Sequence, residues 1–111
     1  MNDQNEQLLY NEEQEQKVAG YLGIAQKAGK IAAGDAVAMA ALNAGRVCLL
    51  VLAADAAEQV LQSFSQEASA KAVPIIYWRG KNDLGRIVGK SRRGAVAVLD
   101  CGLAAAILKT V

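Results

Sequence analysis

Val47-Cys48-Leu49-Leu50-Val51-Leu52-Ala53 is apolar at every position, with β-branched side chains inside it. A strand without a polar face has to be covered on both sides, so this run predicts an inner strand with helices above and below it. Working toward the N-terminus, Asn43-Ala44-Gly45 ends a helix that opens at Gly34-Asp35, and Ile31 to Ala33 is short enough for an edge strand. Further back, Val18, Tyr21, Leu22 and Ala25 recur at three- and four-residue steps and predict a helix over 13–27, with Gly29 as its left-handed cap.

Working toward the C-terminus, Asp55 predicts the cap of a third helix whose buried stripe is Val60, Leu61 and Phe64. Pro74 to Trp78 reads as a strand with proline at its first position, where no ladder donor is lost. Asn82 or Asp83 caps a short helix running through Leu84, Ile87 and Val88 to Gly89. Ala95 to Leu99 is a last buried strand, and 102–109 a final helix. Strands alternating with helices predict an α/β fold, a three-layer αβα sandwich around a small mixed four-stranded sheet.

The 111 residues suit one domain, expected over 16–111 and preceded by an acidic, polar tail over 1–15. Residues 1–16 hold five acids and no base, whereas the rest of the chain holds all twelve Lys and Arg against six acids. The overall charge of +1 therefore hides a basic body. Within 79–93, Arg79, Lys81, Arg86, Lys90, Arg92 and Arg93 are opposed by Asp83 alone. A basic body with an acidic tail is compatible with a nucleic-acid partner.

No apolar stretch approaches the ~20 residues of a membrane-spanning helix, and Met1 to Glu6 lacks the pattern of a signal peptide. A cytoplasmic protein with no membrane association is expected. Cys48 and Cys101 both fall in apolar runs, and without histidine they make no usual zinc set; two free, buried thiols and no cofactor are expected.

The chemistry for catalysis is sparse. Gly23 to Lys30 has the wrong glycine spacing for a phosphate loop, and Ile31 stands where a metal-binding hydroxyl is needed. Asp35, Asp55 and Asp83 occupy helix starts, where capping alone accounts for them, and nothing selects Asp55 with Asp100 as an acid–base pair. No enzyme is expected. The better signal is the helix start at Gly34-Asp35, whose unpaired backbone N–H groups favour phosphate, taken with Lys30 and the loop Lys90-Ser91-Arg92-Arg93. If these loops are neighbours they form one anion-binding patch, with Arg86 beside it.

The order of these segments carries a resemblance. Leu22-Gly-Ile-Ala-Gln-Lys-Ala-Gly-Lys-Ile-Ala-Ala-Gly34, then Ala44-Gly45, 49–56, Val73-Pro74, Leu84-Gly85-Arg86-Ile-Val-Gly89 and Ala97-Val-Leu99 resemble the kink-turn RNA-binding ribosomal protein family, and its bacterial YlxQ-like branch in particular. The resemblance covers about Val18 to Leu108 and implies an αβα sandwich that binds structured or ribosomal RNA without catalysis. It implies that RNA is held by the helix beginning at Gly34 and by the loop before the last strand; together with the charge reading, the expected RNA-binding residues are Lys30, Gly34, Asp35, Arg86, Lys90, Ser91, Arg92 and Arg93.

In that family the helix supplies an Asn, a Glu and a Lys at the second, third and sixth positions after the glycine. Here those positions are Ala36, Val37 and Ala40. Losing bidentate base contacts worth ~1–3 kcal/mol each predicts reduced selectivity, while phosphate contacts survive. The alternative is a protein-interaction module, or a homodimer, using the apolar face of the same helix.

Overall fold

The computed structural model describes residues 10–111. Most of the expected tail lies outside the described residues. In chain order the elements are α1 (Glu12–Lys27), β1 (Ile31–Ala33), α2 (Asp35–Asn43), β2 (Leu49–Leu52), α3 (Glu58–Ala70), β3 (Ile75–Tyr77), α4 (Lys81–Ile87), β4 (Ala95–Val98) and α5 (Cys101–Thr110). The sheet order is β1-β4-β2-β3. β4 runs antiparallel to both β1 and β2, and β2 and β3 are parallel, so the sheet is mixed and four-stranded as expected.

The apolar run at 49–52 splits between two cores because strand side chains alternate in direction. Leu49 and Val51 join Val18 and Leu22 of α1, Leu84 of α4 and Ile107 of α5 on one face. Leu50 and Leu52 join Ala38 and Leu42 of α2 and Phe64 of α3 on the other. All four residues of β2 and all four of β4 are buried. The three layers are thus α1, α4 and α5, then the sheet, then α2 and α3.

Several boundaries move. The predicted strands over 47–53 and 74–78 shorten to Leu49–Leu52 and Ile75–Tyr77, and the last helix begins at Cys101. α1 begins at Glu12 inside the segment assigned to the tail, because Asn11 and Gln14 form a reciprocal cap with both bonds at 2.8 Å. Gln14 Nε2 also donates to the Thr110 carbonyl at 2.9 Å, tying the start of α1 to the end of α5.

Asp55 does not cap α3. Its Oδ1 accepts from the Lys81 N–H at 2.8 Å and so caps α4 from across the fold, while α4 itself begins after Gly80 rather than at Asn82 or Asp83. Asp100 caps α5, accepting from the Leu103 N–H at 2.9 Å. Because β2 and β4 are antiparallel, Asp55 and Asp100 leave the sheet at opposite ends and form no carboxylate pair.

The expectation of two free, buried thiols is corrected: Cys48 and Cys101 form a disulfide across 53 positions of sequence, with Cα atoms 5.2 Å apart. Leu49 lies opposite Val98, so the residue entering β2 and the chain leaving β4 run side by side. That juxtaposition is tertiary. Cys101 is exposed and Cys48 only partly buried.

The loop 90–93 packs hard against α4. Gly85 is buried, and a Cβ there would collide with the Ser91 carbonyl. Gly85→Ala is therefore expected to cost ~1–3 kcal/mol in urea unfolding, since overpacking displaces the loop. Gly20 and Gly23, inside α1, face open space. Alanine at either should instead raise stability by ~0.5–1 kcal/mol.

Candidate functional site

Gly34 ends β1 and precedes α2 with φ 116° and ψ 154°, a conformation that disfavours any side chain. Its N–H donates to the Ala95 carbonyl at 2.8 Å, which locks this corner to the first residue of β4. The space that a Cβ would need is bounded by Arg93, whose Nε lies 3.5 Å from that position. The basic loop therefore packs directly over the start of α2.

Arg93 is held there by its own loop. Nη1 donates to Ser91 Oγ at 2.9 Å and to the Arg92 carbonyl at 3.0 Å, and the Arg93 N–H donates to the Lys81 carbonyl at 3.1 Å. Gly94 lets the chain turn close to Asp35, since a Cβ there would come within 3.3 Å of Asp35 Oδ1.

These contacts shape an open groove of about 590 Å³, with Gly34, Asp35, Lys81, Arg92 and Arg93 on its walls. Val37 of α2 and Val60 of α3 supply apolar surface. Neither α2 nor α3 has a side-chain cap: their N-caps are Gly34 and Ala57. α1 and α5, capped by Asn11 and Asp100, do not reach the groove. Uncapped helix starts beside guanidinium and ammonium groups make an end of the molecule that favours anions.

Of the eight predicted site residues, Gly34, Asp35, Arg92 and Arg93 meet in the groove. Ser91 is exposed and its Oγ accepts from Arg93, and Lys90 is exposed where the loop leaves α4. Arg86 is not beside them: it pairs with Asp83 at 3.2 Å and lines a separate hollow with Trp78 and Arg79. Lys30 sits at the far end of β1, where its carbonyl accepts from the Leu99 N–H at 2.9 Å. Four extended steps, about 13 Å, separate it from Gly34.

Lys81 belongs to the groove although the sequence reading counted it only as charge. No local pattern marks it, because the cap that positions it comes from Asp55. On α2, Ala38, Ala41 and Leu42 are buried while Ala36, Val37 and Ala40 are exposed, Val37 by 56%. The helix face that carries polar groups in the resembled family is thus solvent-facing and apolar.

Residues 16–107 match the family model described as the ribosomal protein L7Ae/L30e/S12e/Gadd45 family. The chain belongs to this family. Among its relatives, the RNA-binding protein YlxQ of Bacillus subtilis is 30% identical over 83 residues, covering 75% of this chain and 83% of that one. YlxQ of Enterococcus faecium is 26% identical over 94 residues, covering 85% and 90%.

The fold agrees. A Bacillus halodurans protein of unknown function superposes with a TM-score of 0.80 at 24% identity, covering 84% of this chain and 94% of that chain. The Giardia lamblia 15.5kD RNA binding protein gives 0.78 at 22%, covering 91% and 87%. The family and the αβα architecture expected from the sequence are borne out.

Two substitutions separate backbone from surface at this end. Gly34→Ala is expected to lose ~1–3 kcal/mol by denaturant unfolding, because its backbone conformation is nearly closed to other residues. Val37→Asp should stay within ~0.5 kcal/mol of the parent, since the side chain is mostly in solvent.

Proposed function

We propose that this chain is a non-catalytic RNA-binding protein of the L7Ae/L30e/S12e/Gadd45 family that takes structured or ribosomal RNA in the groove at the Gly34 end. The observation that carries the reading is the packing of Arg93 over Gly34, which joins the basic loop and an uncapped helix start in one wall. Family membership and the RNA-binding name of the YlxQ relatives support it.

Each group has a role that its chemistry suits. The N–H groups at the start of α2 donate to a phosphate, and Lys81, Arg92 and Arg93 neutralise neighbouring phosphates. Asp35 accepts from an exposed base amine, the pairing a carboxylate offers to cytosine. Lys30, Lys90 and Arg86 lie outside the groove and add long-range attraction, while Ser91 acts through Arg93.

Ala36, Val37 and Ala40 offer no hydrogen bond to a base edge, so discrimination of a kink-turn from other RNA is weak. No helix among the described residues is long and apolar enough to cross a membrane, and a cytoplasmic role with RNA fits that.

Titrating a kink-turn RNA and an unbent duplex of equal length at two salt concentrations tests this. Affinity is expected to fall steeply with salt and to differ little between the two RNAs. Lys81→Ala and Arg92→Ala should each reduce the salt slope by about one. Ala40→Lys should raise affinity for the bent RNA, because position 40 is exposed on the groove-side helix. Unchanged affinity in both alanine variants would move the site elsewhere.

The exposed Val37 favours a second reading, a protein face on α2 that supports a homodimer. Sedimentation of wild type and Val37→Asp distinguishes them: a concentration-dependent dimer lost in the variant supports the protein face, and a monomer at all concentrations removes the dimer.

A further inference from the structure

The opposite end of the sheet carries an open hollow of about 350 Å³ that RNA binding does not use. Its walls include Arg46 and Cys48 ahead of β2, Lys71 and Pro74 between α3 and β3, and Cys101 and Leu108 on α5. The disulfide is therefore part of the wall of a cavity, open to a small molecule. Cys101 is its exposed half and the first residue of α5, where the helix end favours a thiolate. Cys48 is its more buried half.

The cations beside it point to the charge of the co-reactant. Lys71 Nζ is anchored on the Asn43 carbonyl at 3.0 Å, and Arg46 has no ion-pair partner among the described residues. Asp100, the carboxylate next to Cys101 in sequence, is spent on capping α5 and does not line the hollow. Two cations lining the same hollow as a sulfur pair attract an anionic small thiol or its disulfide.

We propose that this hollow is a thiol–disulfide exchange site for an anionic low-molecular-weight thiol, with Cys101 as the exchanging sulfur and Cys48 as the resolving one. In the oxidising direction the Cys101 thiolate attacks one sulfur of the small disulfide, breaking its S–S bond and releasing one small thiolate. The Cys48 thiolate then attacks Cys101 Sγ, forming the internal disulfide and releasing the second. The two cysteine protons pass to water or to the leaving thiolates. Two cysteine thiols are oxidised and one small disulfide is reduced to two thiols. The reverse reaction, driven by the small thiol, reopens the bond. A disulfide in a compartment kept reducing is generally of this reversible kind.

Mass spectrometry of the reduced full chain mixed with glutathione disulfide tests the assignment. Wild type is expected to lose two hydrogens and retain no adduct. Cys48→Ala should keep one glutathione on Cys101, whereas Cys101→Ala should react at Cys48 about tenfold more slowly. The double change Arg46→Ala with Lys71→Ala should slow the reaction with glutathione disulfide about threefold at low ionic strength. It should leave the rate with the uncharged disulfide of 2-mercaptoethanol unchanged.

Thermal melts of each variant report folding, and reduction of wild type should lower Tm by about 10 °C or more, given the long loop that the bond closes. Wild type that keeps both thiols in excess glutathione disulfide overturns the proposal. Equal reaction at the two cysteines, or a charge variant that treats both disulfides alike, overturns the assigned roles and the anionic partner respectively.

Discussion

The antiparallel pairing of β2 with β4 is the constraint from which the rest of the molecule follows. Leu49 to Leu52 lie opposite Val98 to Ala95, and every one of these residues is buried. A pair of strands with no polar face is stable only when both sides are covered, so two helical layers are required. Because the strands are antiparallel, each end of the pair gathers one strand's exit and the other's entrance. Two loop clusters of different chemistry result.

At one end, the exit of β1, the exit of β2 and the entrance to β4 converge, bringing together Gly34, the Asp55 turn and the loop 90–94. The Gly34 N–H on the Ala95 carbonyl and the Asp55 carboxylate on the Lys81 N–H hold the helix starts and the basic loop in register. Gly85 and Gly94 contribute by lacking side chains, the first where the loop backbone comes close and the second beside the side chains of Asp35 and Ala56. Electrostatics at this end combines backbone N–H groups with side-chain charge, since α2 and α3 begin without side-chain caps. At the other end, the entrance to β2 and the exit of β4 bring Cys48 to Cys101. The sheet separates the two clusters by its own length.

α2 shows how a fold can be kept while its chemistry changes. Ala38, Ala41 and Leu42 satisfy the core, which leaves positions 36, 37 and 40 free of any packing demand. Small apolar residues there cost the fold little and remove the side chains with which a helix reads bases. In the proposed RNA-binding reading, the cationic residues in the loop beside it supply phosphate contacts, which tolerate differences in nucleotide sequence.

Much of the architecture was legible in the sequence because it depends on local periodicity. The doubly buried run at 49–52, the alternating helices and strands, the short edge strand at Ile31 to Ala33 and the left-handed glycines 29 and 45 all follow from patterns a few residues long. Gly34, Asp35, Arg92 and Arg93 were legible for the same reason, as a helix start and a charge run. Lys30 and Arg86 share that charge, but strand length put one at the far end of β1 and a partner one helical turn away claimed the other. Lys81 in the groove, Asp55 as the cap of a distant helix and Cys48 bonded to Cys101 were decided only by tertiary structure. Each depends on which strands pair and in which direction, a property of the whole sheet that no short stretch of chain encodes.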